Sequence, residues 1–462
     1  MAIENAYEGL TAKRESIYAT ATAERIAEIF AYAEDYKVFL DTAKTEREAV
    51  AEAVKMAEAA GYTPYRFGDP LKAGDKRYFE NKGKGIYLFR IGTDKLSESG
   101  FRILAAHVDS PRLDLKQNPL YEDSGMSFFK THYYGGIKKY QWTATPLALH
   151  GVVILEDGRR VEVTVGEDPA DPVFYINDLL PHLGQDQAQL PLGKAIAGEA
   201  LNLLVGGIPV ADGEEGNAIK LNVLRILNEK YGITEADFLS AELSAVPAGK
   251  ARDLGFDRAF IAGYGHDDRC CSYPALTALF GNDDPTKTVF VILADKEEIG
   301  SEGNTGMQCR LFSDLLDSIS TTLGENPAAV RFASHCLSAD VNAAYDPNYP
   351  EVFEKRNSAL ISCGPAMSKF TGSRGKSGSN DASAEYVGFV RGIFTAAGVP
   401  WQAAELGKVD IGGGGTVAMF IAKENIDTVD LGLPVISMHA PYEVISKADL
   451  HALHLAFSAF CR

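Results

Sequence analysis

The chain has 462 residues, 46% hydrophobic and 23% charged, with a formal net charge of −18. That length allows two or three domains with an ample core, and the apolar content excludes a disordered chain. The negative balance argues against nucleic acid or an anionic membrane as partner, and no apolar run is long enough to span a bilayer.

The opening stretch MAIENAYEGLTAKRES lacks the basic start and apolar centre of a secretory leader, so a cytoplasmic location is expected. The 6 cysteines, at 270, 271, 309, 336, 363 and 461, show no C-x-x-C spacing and read as reduced thiols. Residues 15–38 carry helical periodicity, with Ala19, Ala23, Ile26, Phe30 and Ala33 along one face. A second helix fits 44–60, with Thr45 as cap, Gly61 as stop, and Val50, Val54, Met56 and Ala57 inward. Tyr78-Phe79-Glu80, a glycine turn at 83–85 and residues 86–91 read as a hairpin. Residues 103–106 then form a buried strand that ends in His107.

From about 113 to about 250 the pattern changes to short alternating segments, at 128–134, 142–149, 151–155 and 160–165. Asp157-Gly158 is a hairpin turn signal. A helix is expected at 218–230, and 185–217 reads as polar with a long loop. From about 253 the alternation of strand and helix returns. A strand leads to Asp267, a helix fits 272–280, a strand at 289–294 leads to Glu297-Glu298, and a helix fits 311–323. A further strand ends in Asp340, and Asp381 is a candidate cap for a helix carrying Ala384, Val387, Val390 and Phe394. Glycines 412–415 open another helix, a strand at 433–436 leads to His439, and Ser446 with Asp449 caps the last helix. The reading is an α/β, mixed-sheet catalytic domain, residues 1–113 and 253–462, interrupted by an inserted β-rich domain, 114–252.

Five strand ends therefore deliver His107, Asp267, Glu297-Glu298, Asp340 and His439. Open α/β sheets bind ligands beyond the carboxyl ends of their strands. Taken singly, each residue has a structural alternative: a solvated acid, a packed histidine, a turn cap. Together they form a mixed imidazole and carboxylate set that suits Zn, Co or Mn. Five or six ligands are too many for one catalytic zinc and fit two ions sharing one carboxylate. In Glu297-Glu298 one carboxylate can bind metal while its neighbour handles a proton. Other signals are weaker. Gly375-Lys376-Ser377 resembles the end of a phosphate loop, but the required earlier glycine is Phe370. His451 and His454 read as packing residues, His335 as a strand residue, and His150 and His266 stay open. The glycines 412–415 are expected to let the chain approach a ligand or another backbone.

The motifs His107-Val108-Asp109-Ser110-Pro111, Asp267-Asp268-Arg269, Asp295-Lys296-Glu297-Glu298-Ile299-Gly300-Ser301, Ser338-Ala339-Asp340 with Pro347-Asn348-Tyr349, and Ser437-Met438-His439 stand in the order of one family. With Tyr134-Gly135-Gly136-Ile137 and residues 375–384, the chain resembles the bacterial branch of the aspartyl aminopeptidase/aminopeptidase I metallopeptidases. The resemblance implies two divalent ions, zinc foremost, with cobalt or manganese as alternatives. His107 and Asp340 would hold one, Glu298 and His439 the other, and Asp267 would bridge. Glu297 would be general base and acid, and Asp109 would orient His107. It also implies peptide substrates and a tetrahedral homododecamer built from dimers through the inserted domain. His182 would reach a neighbouring subunit's site, and Lys369 would lie near the substrate. One departure is that several members carry a histidine shortly after the Asp340 position, where this chain has Val341-Asn342-Ala343-Ala344-Tyr345. Two other classes remain open on the sequence: a deacylase of small amides using the same two ions, and an assembly particle with a residual site. The preferred N-terminal residue, acidic or neutral, is not fixed.

Overall fold

Four apolar strands set the centre of the molecule. The computed structural model describes residues 10–11, 13–211 and 216–462; most of the opening stretch that bears on a leader, and part of the expected 185–217 loop, lie outside the described residues. Thr288–Ala294, Phe101–His107, His335–Ser338 and Asp427–Gly432 run parallel, side by side. Antiparallel strands flank them: Gly85–Arg90 with Lys76–Asn81 on one side and Ala366–Ser368 on the other, within a nine-stranded mixed sheet. Both faces are covered, which is why these strands read as continuous apolar runs. Alternate residues enter opposite cores: Leu104, Ala106, Val291 and Leu293 meet helices Glu46–Ala59, His266–Phe280 and Lys447–Phe460, while Ile103, Ala105, Phe290 and Ile292 meet Leu311–Thr322.

Strands between Arg112 and Pro247 form a second, seven-stranded sheet in which every neighbouring pair is antiparallel. It has its own core around Trp142, Phe129, Leu149, Val153 and Phe238. A third sheet of five short strands contains Phe260–Gly263, Glu443–Ser446 and Pro434–Ile436. Strand ends read from the sequence as one series thus belong to two sheets. His107, Glu297-Glu298 and Asp340 follow strands of the nine-stranded sheet, whereas Asp267 and His439 follow strands of the small one.

Several expectations shift. The first long helix is Ala23–Thr42, not 15–38, because the Thr22 side chain accepts the Arg25 amide and starts it there. Its buried stripe is Ile29, Ala33, Tyr36 and Leu40, while Ala19 and Ala23 are exposed. The bulk of Tyr36 and Phe39 sets that face rather than the alanines. Trp142 lies outside any strand; the strand is Leu147–Ile154, so 151–155 continues it rather than starting anew. Ser383, not Asp381, caps Ala384–Ala397 by accepting the Tyr386 amide. Ser446 caps the last helix, but Asp449 instead accepts the amides of Ser362 and Gly364. Thr45 caps Glu46–Ala59, as the sequence suggests, and Glu48 completes a reciprocal cap with it.

Glu48 has a second task. Its Oε1 lies 2.8 Å from His150 Nδ1 on the seven-stranded sheet, and His150 Nε2 lies 3.0 Å from Glu167, which also faces Lys44 at 3.6 Å. Burial alone lowers the imidazole pKa, but the hydrogen bonds to Glu167 and Glu48 outweigh it and hold His150 at about 9. A folded pKa above the unfolded value stabilises the fold fully below about pH 6.5 and loses that contribution as pH rises through about 9. Denaturant unfolding should show His150→Gln losing on the order of 3 kcal/mol at pH 6 and far less at pH 10. An equal loss at both pH values would exclude a charged His150.

Candidate active site and metal centre

The local fold explains how the five strand ends converge. His107 is the last residue of its strand and pairs in register with Ala294, so the turn bearing Glu297 and Glu298 starts beside it. Asp340 stands two residues beyond the parallel strand His335–Ser338. Asp267 opens the helix His266–Phe280 with non-helical backbone angles, which turn its carboxylate out of the helical path.

The geometry centres on Asp267. Its Oδ1 lies 3.1 Å from His107 Nε2 and its Oδ2 lies 3.2 Å from His439 Nε2. Asp340 Oδ1 is 3.8 Å from His107 Nε2, and Glu298 Oε1 is 3.5 Å from His439 Nε2. His107 Nε2, Asp267 Oδ1 and Glu298 Oε1 are buried without a hydrogen-bond partner. Burying such groups unpaired is costly. Each is a lone-pair donor of the kind a divalent zinc-type ion takes, so the residues present fit a metal centre. Ligand atoms of His107, Asp267 and Glu298 lie mutually within 4.8 Å, as do those of His107, Asp268 and Asp340.

Charge crowding agrees with that reading. Burial, then the Asp340 charge, pushes Glu297 up to about 8. Burial, then Asp267, pushes Glu298 well above the carboxylate range, and burial raises Asp340. Burial also works against an ionised Asp267, but the close approach of the His107 and His439 imidazoles outweighs it and holds the carboxyl far below its usual range. Among the described residues no lysine or arginine lines this cavity of about 390 Å³. Apart from the imidazoles of His107 and His439, which those acids, outweighing burial, hold above their ordinary pKa, no cationic side chain in this lining offsets the acids, and a bound divalent cation inverts such pKa logic.

Outer contacts fix these side chains. Asp109 accepts the Glu297 and Glu298 amides, each at 3.1 Å, and the Tyr134 hydroxyl at 2.8 Å. His107 Nδ1 lies 3.0 Å from the Asp109 carbonyl oxygen and 3.3 Å from its carboxylate. Sequence reasoning missed Glu443, whose buried carboxylate accepts the Asp267 amide at 3.0 Å and the His439 amide at 2.7 Å. It also missed Asp268, which accepts the His107 amide at 3.2 Å. The four-residue interval from His439 to Glu443 was the only signal for the first, and adjacency to Asp267 for the second.

The cavity runs from Glu297, Glu298 and Asp340 past Val341, Leu406 and Met438 to the glycines 413–415. Those glycines approach another backbone: a Cβ on Gly413, at φ +103°, would lie 2.6 Å from Ser373 Cα. The helix they were expected to open begins later, as the short Ala418–Ala422. His182 is exposed, and Lys369 is half-exposed with Nζ 3.7 Å from Asp381; neither lines the cavity within this chain. Arg374 lies in a neighbouring recess with Lys408. His266 is buried and bonded to the Tyr36 hydroxyl, His335 stacks on Tyr386, and His451 and His454 pack against Tyr32. A larger groove of about 1280 Å³ along the last helix contains none of these ligand groups, so donor chemistry rather than size locates the site.

A family model described as aminopeptidase I zinc metalloprotease (M18) matches residues 39–461. The probable M18 family aminopeptidase 1 of Clostridium acetobutylicum is 51% identical over 445 residues, covering 95% of this chain and 96% of that one. The crystal structure of an M18 family aminopeptidase from Thermotoga maritima superposes with a TM-score of 0.93 at 43% identity, covering 98% of this chain and 100% of that one. The yeast mApe1 dodecamer shares the fold, with a TM-score of 0.76 at 21% identity over 93% of this chain and 95% of that one.

Proposed function

The chain belongs to the aminopeptidase I (M18) family of zinc metalloproteases and is a metal-dependent aminopeptidase, and from that premise we propose which residues carry the reaction and on what substrates. Two divalent ions, zinc foremost, would be held by His107 with Asp340 and by Glu298 with His439, Asp267 giving one oxygen to each. The observation that carries this reading is the placement of the two Asp267 oxygens, one facing each histidine, at 3.1 and 3.2 Å. When bound, such ions polarise a carbonyl and bring the pKa of a water toward neutrality.

The chain's own groups do the rest. Glu297 takes a proton from the attacking water and returns it to the leaving amine. Asp109 holds the Glu297 amide, and so fixes where that carboxylate stands. Glu443 and the backbone around it hold Asp267 and His439 at a constant separation. The N-terminal residue of a peptide enters the cavity. Val341, Leu406 and Met438 in its wall, with no lysine or arginine beside them, favour a neutral side chain over an acidic one.

Residues 114–252 would form an inserted unit carrying subunit contacts. Leu179, Leu183, Leu192 and Ile208 are between 54% and 73% exposed there and offer apolar side chains to a subunit contact. Assembly into a dodecamer like the yeast protein's, in the cytoplasm, completes the reading, with His182 reaching a neighbour's cavity, while Lys369, expected beside the substrate, stands outside this cavity against Asp381. No described helix is long and apolar enough to cross a membrane. The deacylase and particle readings are not favoured by the relatives.

The test is a panel of dipeptides and tripeptides with Leu, Met, Ala, Asp or Glu first, offered free and N-acetylated to zinc-reconstituted protein. Release of Leu and Met at least about tenfold faster than Asp, and none from acetylated peptides, is expected. Preferential release of Asp and Glu would overturn the neutral pocket. Cleavage of acetylated amides alone would overturn the assignment of this site as an aminopeptidase centre.

A further inference from the structure

Three consecutive residues, the last of a strand of the seven-stranded sheet and the two glycines after it, reach toward the proposed metal centre. Tyr134 ends the strand Met126–Tyr134, and its hydroxyl donates to Asp109 Oδ2, the oxygen that also accepts the Glu298 amide. Gly135, at φ +74°, lies against Glu298 so closely that a Cβ there would be 3.3 Å from Glu298 Cβ and Oε2, and as near to Pro111 Cγ. The Gly136 carbonyl accepts a hydrogen bond from His439 Nδ1 at 2.7 Å. That bond settles the ring's tautomer, leaving the Nε2 lone pair free on the side of Asp267 and Glu298. His439 needs such a hold. It sits at φ +65°, a backbone region non-glycine residues seldom occupy unless surrounding contacts impose it.

The two histidines are therefore held differently. His107 Nδ1 finds its acceptor two residues away, on the Asp109 carbonyl. His439 Nδ1 finds its acceptor 303 residues away, just beyond a strand of the seven-stranded sheet. The Arg112 guanidinium stacks 4.0 Å over the Tyr134 ring and pairs with Glu46 of the helix Glu46–Ala59 at 3.1 Å, which ties the segment to the nine-stranded side.

We propose that Gly135 and Gly136 are a positioning strap for one metal position, that of Glu298 and His439, so that its affinity depends on how the seven-stranded sheet seats against the catalytic centre. The inference rests on the ligand assignment proposed above. Groups that orient a metal ligand change affinity about 10- to 100-fold when altered, and Gly135 is the point where a single methyl reaches Glu298 directly.

The experiment titrates zinc into the metal-free full chain in competition with a chelator. It compares wild type, Gly135→Ala and Gly125→Ala. Gly125 occupies a turn of the same sheet at φ +78° with nothing within 4 Å of an added Cβ, so it carries the same backbone strain without the contact. Wild type should bind two ions. Gly135→Ala should keep one affinity within about threefold and lose about 10- to 100-fold in the other, with activity recovered by excess zinc. Gly125→Ala should match wild type at both. Unchanged affinities in Gly135→Ala, an equal fall at both positions, or the same loss in Gly125→Ala would overturn the strap while leaving two ions in place. A wild type that binds a single ion would instead remove the ligand assignment, and the strap with it.

Discussion

Replacing Glu297 with glutamine is expected to lower kcat by about 100- to 10,000-fold while the protein still binds both ions. The substitution keeps size and shape, so the Asp109 bond to the residue's amide, which does not involve the side chain, should persist. What disappears is a group that can accept a proton and give it back. Burial and the neighbouring Asp340 hold Glu297 at about 8 when no cation compensates the acids around it, and positive charge in the centre would lower that value. Only the ionised form accepts a proton, so wild-type kcat/KM should rise with pH through the loaded enzyme's Glu297 pKa. The residual activity of Glu297→Gln should lack that limb. Glu297→Asp keeps the carboxylate but withdraws it by a methylene, and should fall between the two. Metal content by plasma emission and pH–rate profiles check all three. A glutamine variant retaining more than about a tenth of wild-type turnover would assign proton transfer to another group.

Much of this centre is legible in the amino-acid sequence, and the parts that are not share a physical cause. A strand covered on both faces must be apolar throughout, so the abrupt change from Val291-Ile292-Leu293-Ala294 to charged residues marks where the sheet ends and a ligand begins. His107 and Asp340 are readable for the same reason. Sheet membership is another matter. Phe260–Gly263 and Pro434–Ile436 look like the central strands but pair only within the small sheet, because pairing partners are set by tertiary packing rather than by the strand's own composition. Glu443 was invisible because it sits at the start of a strand, followed by Val444 and Ile445, where an acid is statistically a surface residue. Its partners are backbone amides, which leave no trace in side-chain spacing. The misplaced first helix has a similar origin. Alanine-rich periodicity over 15–38 fits more than one face, and only the burial of Tyr36 and Phe39 selects one. The Gly135-Gly136 pair could be noticed as a motif, but its service to Glu298 and His439 depends on one sheet meeting another.

The largest loss is expected from Asp267→Asn. Among the described residues Asp267 is the carboxylate whose two oxygens face both histidines, and Glu443 holds its amide in the same framework that holds His439. An asparagine preserves the shape but offers a single carbonyl oxygen and an NH2 that repels a cation, and it removes one negative charge from between the two positions. Both affinities should therefore fall together, with kcat/KM lower by at least about 10,000-fold at micromolar zinc. Asp340→Asn, by contrast, should weaken the His107 position while sparing the other, because Asp340 approaches only His107. Thermal unfolding separates the cases without reference to activity. A ligand at about 100 times its Kd stabilises the folded state by roughly 2.7 kcal/mol per site. Wild type should gain two such increments on adding zinc, Asp340→Asn one, and Asp267→Asn neither. If Asp267→Asn still gained the full increase, the carboxylate between the histidines would not be shared, and each ion would have to be held by its own histidine and acid alone.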